Sequence, residues 1–104
     1  MLSEITSAFE ARNPGVASFE TFAADCMAAM QNDPANAAAY LLLGLAARQV
    51  YDRFADQPLT VDYANESKTR MIDLARKAQA AIGQDATSQI AQLNDMARKA
   101  FSED

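Results

Sequence analysis

Histidine and tryptophan are absent from the 104 residues, and cysteine occurs once, as Cys26. Without histidine the chain lacks the side chain whose unperturbed pKa lies nearest neutrality, so it has no ordinary carrier for general acid–base catalysis. Zinc sites built from Cys and His are excluded on the same ground. A lone cysteine forms no internal disulfide, which leaves the redox compartment open and fits a reducing one. Calcium loops with alternating acids and a glycine, and the Glu-x-x-His pairs of di-iron bundles, do not occur. No metal, cofactor or enzymatic activity is therefore expected.

Long apolar runs are missing as well. No stretch approaches the ~20 consecutive apolar residues of a membrane span. Met1 to Arg12 lacks the basic start and apolar run of a signal peptide, so a cytoplasmic location is the default expectation. Clusters of Lys and Arg are also lacking. The formal net charge is −5, and residues 1–47 carry five acids against Arg12 alone, while residues 48–104 carry nine acids against eight bases. Phosphate backbones and anionic lipid repel such a chain, so neither a nucleic-acid nor a membrane partner is expected.

With only three Gly and three Pro, breakers are few, and half of the residues are hydrophobic, a globular composition. Alanine dominates and β-branched residues are scarce, so intrinsic preference is helical. The length suits one domain, residues 1–104, with a modest core. Periodicity predicts all-α structure of four to five antiparallel helices joined by short connections. Leu2, Ile5 and Phe9 mark a short first helix, stopped by Asn13-Pro14-Gly15. Ser18 reads as the cap of a second, with a stripe of Phe19, Phe22, Ala23, Cys26 and Met30. Asp33 and Pro34 start a third, expected to reach about Ala55 before Asp56-Gln57-Pro58 closes it. Thr60 caps a fourth, with Val61, Ala64, Met71, Ala75, Ala78 and Ile82 inward and Gly83 at its end. The polar run Asn65 to Arg70 either breaks this helix or is exposed on it. Asp85 or Thr87 caps the last, roughly Ala86 to Phe101, presenting Ile90, Leu93, Ala97, Ala100 and Phe101.

The third helix is apolar on two sides. Tyr40, Leu43, Gly44, Ala47, Val50, Tyr51 and Phe54 form one face, and Leu41 and Leu45 lie on another. Asp33-Pro34-Ala35-Asn36-Ala37, followed by Tyr40, Leu43-Gly44 and Ala47, resembles the start of a tetratricopeptide repeat. Upstream, Phe22, Cys26 and Ala29 stand where a preceding repeat's second helix would place small and apolar residues, though only Ala29 fits well. The likeness covers residues 19–51, and the third helix is longer than a standard repeat helix. A fainter echo repeats Leu43, Ala47, Arg48 and Tyr51 as Leu93, Ala97, Arg98 and Phe101. The alternative architecture is a generic helical bundle.

The resemblance implies a ligand-facing surface at Ala38, Leu41, Leu45, Arg48 and Gln49, suited to an amphipathic helix or extended peptide, with Arg48 meeting a carboxylate. Either that face serves a partner, or the first or last helix covers it internally. The first expectation is thus a protein-binding module: an adaptor, chaperone or regulator. A second is self-association into a homodimer through Phe19, Phe22 and Met30 or through the last helix. A third is a small-ligand pocket between helices three and four, lined by Tyr40, Tyr51, Tyr63 and Met71. Cys26, on an apolar stripe, reads as buried rather than nucleophilic. Asp52 and Asp56 beside Arg48 and Arg53, and the pairs Glu66/Arg70, Asp73/Lys77 and Asp95/Lys99, have the spacing of ion pairs on solvated helix faces.

Overall fold

The computed structural model describes residues 1–54 and 58–101, and every described element is helical. Five α-helices follow one another: α1 (Leu2–Ala11), α2 (Val16–Asn32), α3 (Ala37–Arg53), α4 (Val61–Ile82) and α5 (Ala86–Ala100). Expected helix boundaries mostly hold, and the exceptions have local causes. Helix α2 starts at Val16, two residues before the expected cap. Ser18 is inside the first turn, where both its N–H and its hydroxyl donate to the Gly15 carbonyl at 3.1 Å. Asp33 and Pro34 do launch the third helix, but through one 3-10 turn, Pro34–Asn36. The Asp33 carboxylate bonds no backbone N–H there; it accepts from Asn36 Nδ2 at 2.9 Å and the Tyr40 hydroxyl at 3.4 Å. Residues 55–57, which include the expected closing pair Asp56-Gln57, lie outside the described residues.

Thr60 caps as read from the sequence, accepting from the N–H of Tyr63 (3.2 Å), and of the two candidates Asp85 and Thr87 it is Asp85 that caps α5, accepting from the N–H of Ser88 (2.9 Å). Helix α4 runs unbroken through residues 65–70. That polar run survives because it is split by face: Ser67 is buried and Lys68 half-buried, while Asn65, Glu66, Thr69 and Arg70 meet solvent.

Helices α2 and α3 make the most extensive pair in the molecule, joined by the short turn at Asp33 to Asn36 and therefore antiparallel. Helix α4 begins beside the end of α3, where Arg53 Nη1 donates to Tyr63 Oη at 2.6 Å. Helix α5 begins beside the start of α3, where Gln89 Nε2 reaches Asn36 Oδ1 at 3.4 Å. Neighbours in sequence thus alternate in direction from α2 to α5. Helix α1 packs across α2 and α4, and a Cα radius of gyration of 13.2 Å is what a compact chain of this length should show.

One core draws on all five helices. Phe9 of α1 meets Phe19 edge-on at 5.3 Å and Phe22 at 4.8 Å, and none of the three is exposed. Tyr40, Leu43 and Ala47 of α3, Met71, Ala75 and Ala78 of α4, and Met96 of α5 complete it. Three residues expected to face inward do not: Val61 is 74% exposed, Ile90 58% and Phe101 38%. Val61 is the first residue of α4, on the solvent side of its first turn, whereas α5 turns Met96 inward and leaves Ile90 outside.

Helix α1 has no basic residue in its last turn. Lys68 of α4 supplies the missing cation, its Nζ donating to the carbonyls of Glu10 and Arg12, each at 2.7 Å, and Arg76 reaches the Glu10 carboxylate at 3.1 Å. A lysine on the carbonyl end of a helix satisfies orphan acceptors and complements the helix dipole. Lys68→Met keeps the apolar stem and removes both bonds. It should lower the unfolding free energy by about 1–2 kcal/mol in urea titrations, and unchanged stability would show that the Lys68 contacts do not hold α1.

Candidate functional site

The second apolar face of α3 is open. Ala38, Leu41, Leu45, Arg48 and Gln49 are all exposed, with Leu41 at 41% and Leu45 at 40%. The opposite side of the same helix, with Ala39, Tyr40, Leu43, Gly44, Ala46 and Ala47, is buried. Neither α1 nor α5 covers the leucine pair within the chain. Arg48 Nε donates to Asp52 at 3.3 Å, one turn on, and both side chains are well exposed. Such a pair contributes little stability, so the guanidinium is available to another carboxylate at small cost. Residues four apart form a ridge on a helix, so Leu41, Leu45, Gln49 and Arg53 line up, apolar first and cationic last.

That ridge leads to a cleft of about 420 Å³ between the end of α3, the first two-thirds of α4 and the end of α5. Its size falls within the range of small-molecule sites. Tyr63 and Met71 line it, as expected of a pocket between helices three and four, but Tyr40 and Tyr51 do not. Tyr40 is in the core, 1% exposed and bonded to Asp33, and Tyr51 packs against that core. The sequence reading missed the cleft's charged members. Arg53, Arg70, Lys77 and Lys99 border it, with Asp73 and Asp95.

Lys77 pairs with Asp73 at 3.1 Å and Lys99 with Asp95 at 3.0 Å, as their spacing suggested. Glu66 and Arg70, spaced alike, form no ion pair; the Arg70 guanidinium instead stands over the Tyr63 ring, 5.9 Å from its centroid. Arg53 bonds the hydroxyl of the same tyrosine. Burial alone would push the Tyr63 phenol up, but the Arg70 and Arg53 guanidiniums together outweigh it and hold the phenol below its ordinary value. The Tyr63 ring also packs on Phe54 at 4.9 Å, which fixes it at the cleft edge.

Cys26 is fully buried, and burial together with the neighbouring Asp25 pushes its thiol up to about 12. It stays protonated and enclosed near neutral pH, the opposite of an activated nucleophile. The face proposed for self-association from Phe19, Phe22 and Met30 is not available, because both phenylalanines are wholly inside one chain. On α5, Ile90 and the following Phe101 remain exposed. Among the described residues no cluster of Cys, Asp and Glu could hold a metal ion, and no helix is long and apolar enough to cross a membrane. Compared with known proteins, the chain matches no family model, no curated protein and no solved structure.

Ser67 is 1% exposed in the cleft wall, and its hydroxyl has no hydrogen-bond partner among the described residues. A buried polar group left so costs about 1–3 kcal/mol. Ser67→Ala removes that cost and improves helix propensity, so it should raise the unfolding free energy by about 1 kcal/mol. Thermal and urea denaturation measure this, and a destabilised variant would mean that the hydroxyl is bonded in solution.

Proposed function

We propose that the chain is a non-enzymatic protein-interaction module, an adaptor, chaperone or regulator, that docks a helix or peptide of a partner along the outer face of α3. The observation that carries this reading is the exposure of Leu41 and Leu45, one turn apart, on a helix whose other side is spent on the core. Two leucines at this spacing suit the apolar anchors of an amphipathic helix. Arg48 and Gln49 beside them offer a cation and an amide to the partner's polar rim. The tetratricopeptide resemblance of residues 19–51 supports the same surface, since it assigns Ala38, Leu41, Leu45, Arg48 and Gln49 to the ligand side. Tyr40, Leu43-Gly44 and Ala47, which that resemblance assigns to helix pairing, are buried against their neighbours.

Affinity capture from extract of the source cell tests the reading with two variants. Leu45→Glu places a charge in the middle of the docking face, and Ile90→Glu places one on the exposed side of α5. Both sites are solvent-facing, so both variants should keep the helical circular dichroism of the parent. Proteins that bind through α3 should be lost with Leu45→Glu, at least about tenfold in recovery, and retained with Ile90→Glu. Equal recovery with the parent and Leu45→Glu removes α3 as the docking face. Selective loss with Ile90→Glu transfers the role to α5.

A further inference from the structure

The cleft between α3, α4 and α5 has three properties that the docking face lacks: enclosure on three sides, an apolar floor and a convergence of cations. Val50, Met71, Leu74 and Met96 supply apolar surface from three different helices. Methionine side chains adapt to irregular apolar shapes at low cost, and two of these four are methionines. On α4, Tyr63, Ser67, Arg70, Leu74 and Lys77 follow one another at steps of three and four residues, so a single helix face delivers polar and apolar groups together.

Lys77 and Lys99 are already engaged with Asp73 and Asp95. The two arginines are not: among the described residues neither Arg53 nor Arg70 has a carboxylate within ion-pair distance, and both turn to one neutral phenol. Two guanidiniums gathered on a tyrosine, with four cations against the two carboxylates of Asp73 and Asp95 around the cleft, make it locally positive in a chain of net charge −5. The guanidinium fork matches a planar carboxylate, which can accept two parallel N–H bonds. Ser67 belongs to the same wall, its hydroxyl buried behind the cleft surface and without a hydrogen-bond partner among the described residues. Guanidiniums turned to a phenol, with no described carboxylate in ion-pair distance and an apolar floor beside them, suit the charged head and hydrocarbon body of an amphipathic anion.

We infer that this cleft binds a medium-chain aliphatic carboxylate, its head between Arg53 and Arg70 and its hydrocarbon body along Val50, Met71, Leu74 and Met96. The apolar floor separates this ligand from inorganic anions, which would gain nothing from it. The arginines separate it from neutral lipids of the same length. The cleft shares only Gln49 with the α3 docking face, and the leucine anchors Leu41 and Leu45 do not line it.

Titration of the 15N-labelled full chain with decanoate below its micelle concentration, followed by amide chemical shifts, tests the inference. Saturable shifts should concentrate at residues 46–53, 63–77 and 95–100. Decanol, with the same body and no charge, should bind at least about tenfold more weakly, and so should decanoate with Arg70→Gln or Arg53→Gln. Both substitutions are at solvent-exposed positions, so the parent spectrum should be preserved elsewhere. Acetate and inorganic phosphate, heads without bodies, should give no saturable shifts in the cleft. Absence of saturable decanoate binding overturns the inference. Equal affinity for decanol, saturation by acetate or phosphate alone, or indifference to both arginine substitutions overturns it equally. Shifts confined to the Leu41 and Leu45 face would overturn it while leaving the docking surface standing.

Discussion

The pairing of α2 with α3, the most extensive in the molecule, passes directly over Gly44, whose missing side chain leaves room for Met27. A Cβ built on Gly44 would stand 2.5 Å from the Met27 methyl and 3.6 Å from the carbonyl oxygen of Ala23, so the space beside Gly44 is filled by α2. The Met27 methyl is the end of a flexible, half-buried side chain and can shift, whereas the Ala23 backbone, already at contact distance, leaves no room for a side chain much larger than a methyl. Around this approach Cys26, Tyr40, Leu43 and Ala47 lose nearly all contact with water. Burial so complete on one side fixes the rotation of α3 about its axis, and with it everything that α3 presents on the other. Leu41 and Leu45 are exposed as a consequence of where Gly44 and Leu43 must point.

The same rotation places the end of α3 over α4 and α5. Ala46 and Val50 meet the apolar side of the other two helices, while Gln49 and Arg53 stay at the edge, and the gap between the three becomes the cleft. Helix α4 is anchored from its far side, by Lys68 and Arg76 on the end of α1. Its charges therefore divide by direction: one group holds α1, and another, with Arg70, faces the cleft. The distribution along the chain matters more than the net charge, since an acidic protein nevertheless gathers four cations around one concavity.

Helix content, helix number and most of the core were legible in the sequence because each helix carries a three-and-four-residue apolar step and three carry clear start signals. Thr60 reads as a cap and acts as one, and Asp85, one of two candidates with Thr87, caps α5. Ser18 misled because a serine near a helix start can cap the backbone or bond back to it, and local spacing does not choose. Ile90 misled because hydrophobicity does not say which side of an amphipathic helix meets its neighbours, and the smaller-looking signal of Met96 marked the true inner side. Leu41 and Leu45 could be read as a second apolar side, and the tetratricopeptide resemblance implied Ala38, Arg48 and Gln49 beside them, but whether another helix covers that face is a tertiary fact. The cleft was half legible. Tyr63 and Met71 belong to it, while its arginines looked like partners for acids; Arg53 and Tyr63 meet across ten residues of sequence, beyond any helical periodicity.

The central claim is that one side of α3 is the core of the molecule and the other is open surface in a single chain. Hydroxyl-radical footprinting of the free protein, with fragmentation resolving individual leucines, compares like with like along this helix. Leu41 and Leu45 should be oxidised readily and Leu43 protected, with the same ratios across a wide dilution series. Protection of Leu41 and Leu45 equal to that of Leu43 at every dilution would contradict the account.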